Sequence, residues 1–252
     1  MTSANVRCAV ILPCYCEEEQ VQGVVSGIPT WINQIIVIDD ASVDGTADIV
    51  KGMNDPRVTL VRHEQNTGVG GAMATGYRCA LETDSEILIK MDGDGQMDPK
   101  NIPQLIAPLV NGEADCTKGN RLIDKSAIRI MPKARLIVCW ILSVLIRVVS
   151  GNWSISDPTN GYTAITRDVL LDIDLDAMAN DYFFESDMLI HLSECRARIV
   201  EVPMRARYGG ERHSASVLPS AILFPIRLVH GLVRRMWKQY LFRRLSWARV
   251  SS

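Results

Sequence analysis

At 252 residues, 47% of them apolar, the chain has enough core for one large α/β domain or one domain with an appendage, and a disordered or repetitive protein is excluded. The formal charge of −2 hides an asymmetry: Ser214 to Ser252 holds seven basic residues and no acidic one, which leaves the body before it acidic. An acidic body with a basic, apolar tail excludes a nucleic-acid partner and suits a membrane surface.

Arg7 precedes only a short apolar run that ends at Pro13, unlike a signal peptide. That run, Cys8–Leu12, predicts a first buried strand, and Glu17–Ser26 a helix with an acidic first turn that suits its dipole. Gln34–Ile38 predicts a second strand with Asp39-Asp40 at its tip. Ser42-x-Asp44-Gly45-Thr46 then caps a helix to about Lys51. Val58–Val61 is a third strand, a glycine-rich segment opens a helix over Val69–Leu81, and Ile87–Met91 is a fourth strand. Near-continuous apolar strands alternating with helices predict a parallel, doubly wound sheet, whose ligands sit beyond the carboxyl ends of the strands. Pro13, Asp39-Asp40 and Asp92 all fall at such ends. Gly68-Val-Gly70-Gly71-Ala-Met-Ala74 has the look of a dinucleotide fingerprint, but it follows the third strand and lacks the acidic strand end about 20 residues on. Tight helix–sheet packing beside a diphosphate accounts for its glycines equally well.

The second half is less regular. Asp115–Arg121 predicts a strand entering a loop, and Ala134–Val149 an apolar helix too short to span a bilayer and carrying Arg147. Asp157-Pro-Thr-Asn-Gly-Tyr162 is a turn before a strand at Thr163–Thr166. Glu185–Cys195 is an amphipathic helix with Phe183, Met188, Leu189 and Leu192 toward the core. Ile199–Arg205 is a last strand and Arg207–Ser214 a polar loop. In the tail, Pro219, Pro225 and Arg227 interrupt Val217–His230, so this segment and Leu232–Leu245 read as interfacial amphipathic helices rather than spans. The seven cysteines, odd in number and scattered, read as reduced, buried residues of a cytosolic protein, and Cys14-Tyr-Cys16 lacks the second pair that a zinc site needs.

Chemistry concentrates where the fourth strand stops, at Asp92-Gly-Asp94-Gly-Gln96. Two carboxylates and an amide oxygen are hard ligands suited to Mg²⁺ or Mn²⁺, with waters and substrate phosphates completing an octahedron. The bland alternative is an acidic surface turn, since Asp and Gly are the ordinary turn residues.

Taken in order, several motifs resemble those of one family. Pro13-Cys-Tyr15-Cys-Glu17 comes first, then Asp39-Asp40-Ala-Ser42-Val-Asp44-Gly45-Thr46, Asn66-Thr-Gly68-Val-Gly-Gly-Ala72 and Asp92-Gly-Asp94-Gly-Gln96. Gly119-Asn-Arg121, a second arginine at Arg135, and Asp157-Pro-Thr-Asn160-Gly-Tyr162 follow. This series resembles family 2 of the nucleotide-sugar glycosyltransferases, with the GT-A fold, and most of all the dolichyl- or polyprenyl-phosphate sugar synthases. Cys16 stands where the family has Asn, and Arg207-Tyr-Gly-Gly-Glu-Arg-His-Ser214 only partly matches its Arg-x-x-Gly-x-Ser-Lys loop. The resemblance covers about residues 7–214. It implies a GT-A domain over 1–215, with a Rossmann-like, mostly parallel sheet and flanking helices, divided into a nucleotide-binding half to about 115 and an acceptor half from 116. A basic, membrane-associating tail follows at 216–252.

The resemblance further implies that Pro13, Tyr15, Glu17, Ile38, Asp39, Asp40, Asp92 and Gly93 hold the nucleotide. Mg²⁺ or Mn²⁺ on Asp92, Asp94 and Gln96 would bridge the donor diphosphate, with Asp94 essential to catalysis. Arg121 and Arg135 would orient an acceptor phosphate, and Arg207 would serve the acceptor or diphosphate loop. The implied reaction moves one sugar, with inversion, from a GDP- or UDP-sugar to a polyprenyl phosphate at the cytoplasmic face of a membrane. The enzyme would sit there peripherally, with room for a membrane-protein partner. A phosphate acceptor needs no strong base, because its second pKa is about 6. Asp157 reads two ways: as the base for a hydroxyl acceptor in polysaccharide or glycolipid synthesis, or as a turn residue before Pro158. A processive synthase would carry Gln-x-x-Arg-Trp, and a nucleotidyltransferase a Gly-x-Gly-Thr-Arg loop where Pro13–Glu17 stands. A non-catalytic sugar-nucleotide sensor would not need the metal ligands.

Overall fold

The computed structural model describes residues 6–123, 133–204 and 226–237, the stretch 133–139 by its helical backbone alone. Seven strands, β1 (Cys8–Cys14), β2 (Gln34–Asp39), β3 (Val58–Arg62), β4 (Ile87–Lys90), β5 (Cys116–Asn120), β6 (Thr163–Thr166) and β7 (Ile199–Pro203), form one sheet in the order β3-β2-β1-β4-β6-β5-β7. Flanking it are α1 (Val21–Gly27), α2 (Thr46–Gly52), α3 (Gly68–Leu81), α4 (Ile102–Val110), α5 (Lys133–Ser150), α6 (Arg167–Leu171), α7 (Phe184–Glu194) and α8 (226–237).

β1 and β2 are apolar at nearly every position because alternate side chains feed two separate cores. Ala9 and Ile11 pack with Tyr77 of α3, Ile146 of α5 and Leu189 of α7 on one face. Cys8, Val10 and Leu12 pack with Val24 of α1, Val50 of α2 and Leu105 of α4 on the other. Gly76 lets α3 lie close on the sheet, since a Cβ there would come within 2.3 Å of Ile11 Cγ2. Strands β1–β4 are parallel, as the alternation predicts. The departure is β6, which enters antiparallel between β4 and β5 and makes the sheet mixed.

α1 starts at Val21 rather than Glu17, because Glu17–Gln20 close a turn in which Glu17 O accepts from Gln20 N at 3.0 Å. α4 has no counterpart in the sequence reading. Pro103 falls in its first turn, where the missing N–H is not needed, and only Pro108 lies inside it. Cys8, Cys14, Cys16, Cys79 and Cys116 are free thiols, and burial pushes Cys8 and Cys116 up to about 12, so they stay neutral.

The tail requires a correction. The two interfacial segments expected to part near Gly231 are, over 226–237, one helix docked on the body. Leu228 is buried in the first core, and Gly231 packs so closely on α7 that a Cβ would lie 2.7 Å from Ile190 Cδ1. Arg234 Nε donates to the buried Glu194 at 2.6 Å, and Arg227 NH1 to Asp181 at 2.7 Å. Body carboxylates therefore neutralise at least two of the tail cations. Residues 216–225 and 238–252 lie outside the described residues. Among those described, no helix is long and apolar enough to cross a membrane.

Candidate active site

The parallel strands deliver Pro13, Asp39 and the Asp92 turn to one edge of the sheet, with Asp39 in register beside Cys14. Pro13 is buried, Tyr15 exposed and Glu17 half-buried. Cys16 adopts a left-handed backbone, φ 58°, with its N–H on Ser42 Oγ at 2.9 Å. Asn tolerates that conformation better than most residues, which rationalises the family's preference there. Ile38 points into the first core, under α3.

The two carboxylates after β2 have different duties. Asp40 is filled by protein donors: Oδ1 takes His63 Nδ1 at 2.7 Å, Thr67 N at 2.9 Å and Thr67 Oγ1 at 2.8 Å, and Oδ2 takes Gly68 N at 2.8 Å. It ties β2 to the start of α3. Farther into the first turn of α3, the N–H groups of Gly70 and Gly71 donate to Asn180 O at 2.7 and 3.2 Å, so those two donors are occupied by protein rather than open to a diphosphate. A Cβ on Gly70 would collide with Ala179 O at 2.0 Å, and this contact explains the glycine. Asp39 differs: Oδ1 accepts from Ser42 N, and Arg62 Nε lies 3.0 Å from Oδ2 but off the line of a hydrogen bond. Its Oδ2 thus has a compensating charge and no donor.

In the turn after β4, Asp94 Oδ1 accepts from Gln96 N at 3.0 Å, and Gly93 lies so close to β1 that a Cβ would stand 2.5 Å from Cys14 Sγ. Burial, and next the charge of Asp92, push the Asp94 carboxyl above the ordinary carboxylate value. A buried carboxylate whose ionisation is disfavoured by a neighbouring carboxylate belongs to a donor set that a divalent cation fits. Among the described residues no three His, Cys, Asp or Glu side chains form such a set, so a cation here would depend on Asp92, Asp94, the Gln96 amide, water and donor phosphate.

In the turn before β6, Asp157 is buried and binds Arg121 through both oxygens: Nε to Oδ2 at 2.8 Å and NH2 to Oδ1 at 2.9 Å. Arg121 N adds a third bond at 3.1 Å, and its NH2 also reaches Thr159 Oγ1 at 3.0 Å. Burial alone would raise the Asp157 pKa, but the Arg121 hydrogen bonds and charge outweigh it and hold the carboxyl below the ordinary range. Glu201 Oε1 accepts from Ser156 N at 2.6 Å and Asp157 N at 2.9 Å, and its other oxygen accepts from Asn120 Nδ2, which locks the turn to the end of β5 and the middle of β7.

Residues 9–174 match the family model described as glycosyl transferase family 2. The chain belongs to that family. Its relatives include an undecaprenyl-phosphate mannosyltransferase of Micrococcus luteus, 30% identical over 226 residues that cover 86% of this chain and 92% of that one. A polyprenol monophosphomannose synthase of Mycolicibacterium smegmatis is 31% identical, covering 79% of this chain and 76% of its own. Among solved structures, glucosyl-3-phosphoglycerate synthase of Mycobacterium tuberculosis, in complex with Mn²⁺, UDP and phosphoglyceric acid, aligns with a TM-score of 0.67 at 21% identity, over 92% of this chain and 79% of that one. That likeness establishes the GT-A fold. As a family 2 member, the protein is a nucleotide-sugar-dependent glycosyltransferase.

In this glycosyltransferase Arg135 lies in the first turn of α5, its side chain outside the described ones, and Arg207 lies outside the described residues. The sequence reading missed His63 and Thr67, which anchor Asp40, and Glu201, which anchors Asp157. Nothing local marks them. It also missed Lys90, Lys118 and Glu185, for which a signal existed: a lysine inside an apolar strand must find a buried partner. Burial pulls Lys90 down, but the charges of Asp92 and Glu185 outweigh it and raise its pKa, whereas burial dominates at Lys118 and lowers it.

Proposed function

We propose that the protein transfers a single sugar from a nucleotide-sugar to a polyprenyl monophosphate, with inversion at the anomeric carbon. The observation that carries this reading is the Arg121–Asp157 pair. The one carboxylate of the acceptor turn is committed to a guanidinium and held ionised, which makes it a poor acceptor for a hydroxyl proton. An acceptor phosphate needs no such base. It needs cations held in place, and Asp157 holds Arg121 in place. The names of the relatives support a polyprenyl-phosphate acceptor. Asp39, with its unbonded oxygen, suits a base N–H once Arg62 swings aside, while Asp40 supports the pocket from behind. A divalent cation on Asp92, Asp94 and Gln96 would supply charge stabilisation for the departing nucleoside diphosphate. The test is release of nucleoside diphosphate from UDP- and GDP-sugars, with and without polyprenyl phosphate. Release should rise at least tenfold with the lipid for one donor. Transfer to a sugar hydroxyl and none to the lipid would overturn the reading.

Such an acceptor places the enzyme on a membrane. α5 buries Ser143, Ile146 and Val149 yet exposes Trp140, Ile141, Val144, Leu145 and Val148 on its opposite face. α8, whose Arg235 NH2 reaches Val148 O at 3.4 Å, exposes Ile226, Val229, Val233, Met236 and Trp237. Helices apolar on both the core side and the solvent side suit a peripheral seat in the headgroup region. Free thiols and nucleotide donors suit its cytoplasmic face. Replacing Trp140, Trp153 and Trp237, each more than 60% exposed, with Ser should lower pelleting with anionic liposomes several-fold and leave Tm unchanged within a few degrees. Because two tail cations are paired internally, part of the binding should survive high salt. Unchanged pelleting of the triple variant would remove these helices from the membrane contact.

A further inference from the structure

Lys90 and Lys118 are each only 1% exposed, on β4 and β5, the strands on either side of β6. Both are in register with Thr163, so their side chains leave the same face of the sheet. α7 covers that face, and Glu185 in its first turn meets both. Lys90 Nζ reaches Glu185 Oε1 at 2.7 Å, Asp92 Oδ1 at 2.8 Å and Gly161 O at 3.3 Å, which matches its three protons to three acceptors. Lys118 Nζ donates to Asn160 O and stands 3.8 Å from Glu185 Oε2. The carbonyls that the two lysines bind are consecutive in the acceptor turn. Gly161 sits at the junction, where a Cβ would lie 2.4 Å from Lys90 Nζ and 3.1 Å from both Asp92 Oδ2 and Glu185 Oε1.

We propose that Lys90, neutralised by Glu185, is a positioning residue that fixes the Asp92 carboxylate for the donor and its cation and keeps the donor and acceptor turns in register. Lys90 holds Asp92 by Oδ1, which leaves Oδ2 outside that bond. With no such hold, Asp92 is free to rotate, and the carboxylate has to be ordered again each time a nucleotide binds. Electrostatics alone gives a different expectation. A buried cation beside Asp92 weakens a bare metal ion and strengthens a diphosphate, and Glu185 cancels much of both effects. The paired substitution Lys90→Met with Glu185→Gln removes one charge of each sign, so it tests position at constant net charge.

The proposal rests on the donor-cation reading of Asp92, and one measurement separates the two. Full-length protein is titrated with Mn²⁺ in the presence of UDP or GDP, following free Mn²⁺ by electron paramagnetic resonance, with Tm recorded alongside. If the wild type binds no Mn²⁺ with either nucleotide, the donor-cation reading fails. Given wild-type binding, the double variant should keep its Tm within a few degrees, since replacing a buried ion pair by neutral groups is often tolerated. It should nevertheless bind Mn²⁺ with nucleotide at least tenfold more weakly. Lys118→Met, which leaves Asp92 untouched, should bind within about threefold of wild type. Wild-type affinity in the double variant, or an equal loss in Lys118→Met, overturns the proposal. If the double variant does not fold, the unsubstituted protein supplies the answer: a slowly exchanging ammonium signal in ¹⁵N-lysine spectra should shift when Mg²⁺ and the nucleotide are added. No shift of such a signal overturns it equally.

Discussion

Arg121→Lys is expected to lower transfer to polyprenyl phosphate by about 10²-fold while donor binding stays near wild type. Lysine keeps the charge but cannot reproduce the two-pronged contact that Nε and NH2 make with Asp157, nor reach Thr159 Oγ1 from the same plane. The ammonium would settle elsewhere, and a displacement of about 1 Å is enough for a loss of that size. Asp157→Asn should cost less, about tenfold, because one oxygen remains to hold Arg121. The shape of its pH–rate profile should match wild type. Asp157 has a depressed folded-state value, so it is ionised throughout neutral and mildly acid pH. Its contribution to stability is present above the unfolded carboxylate value and is lost only as pH falls through the lower folded one. A general base behaves otherwise: its loss costs about 10²–10⁴-fold and removes the acid limb of the profile. An inactive Asp157→Asn beside a fully active Arg121→Lys would assign the protein to a hydroxyl acceptor.

Asp94→Asn should lower turnover at least tenfold, about 1.4 kcal/mol of transition-state stabilisation. The amide oxygen can still accept from Gln96 N, so the turn keeps its shape. Removing a charge that burial and Asp92 both disfavour should leave Tm equal or slightly raised. What is lost is one of the two formal negative charges offered to a cation, together with its support of the departing diphosphate. Excess chelator should abolish wild-type activity, and added Mn²⁺ or Mg²⁺ should restore it. Full activity in chelator would remove the cation from the reaction.

Within the chain, β1, β2 and β4 were legible because an unbroken apolar run bounded by Gly, Pro or Asp already implies a strand buried on both faces. The placement of Asp39 and the Asp92 turn at strand ends followed from the same pattern. Periodicity reports that a face is buried but not which strand lies beside it. The antiparallel entry of β6 between β4 and β5 was therefore decided only in three dimensions, and that entry brings Lys90 and Lys118 across Thr163 to meet Glu185. The same holds for Asp40 against Asp39. They are adjacent and chemically identical, yet one is consumed by His63, Thr67 and Gly68 while the other keeps an oxygen without a donor. Arg121 and Asp157 were each found by motif, but their pairing, 36 residues apart, was not. The tail was read from its composition as interfacial amphipathic helices, and the structure turns one face of 226–237 onto α7 through Arg234 and Glu194. Sequence pattern by itself determined that the apolar runs are buried, which residues carry charge and where the first strands end. Which charge meets which was decided by tertiary structure, because the energy of a buried ion depends on partners that chain distance does not encode.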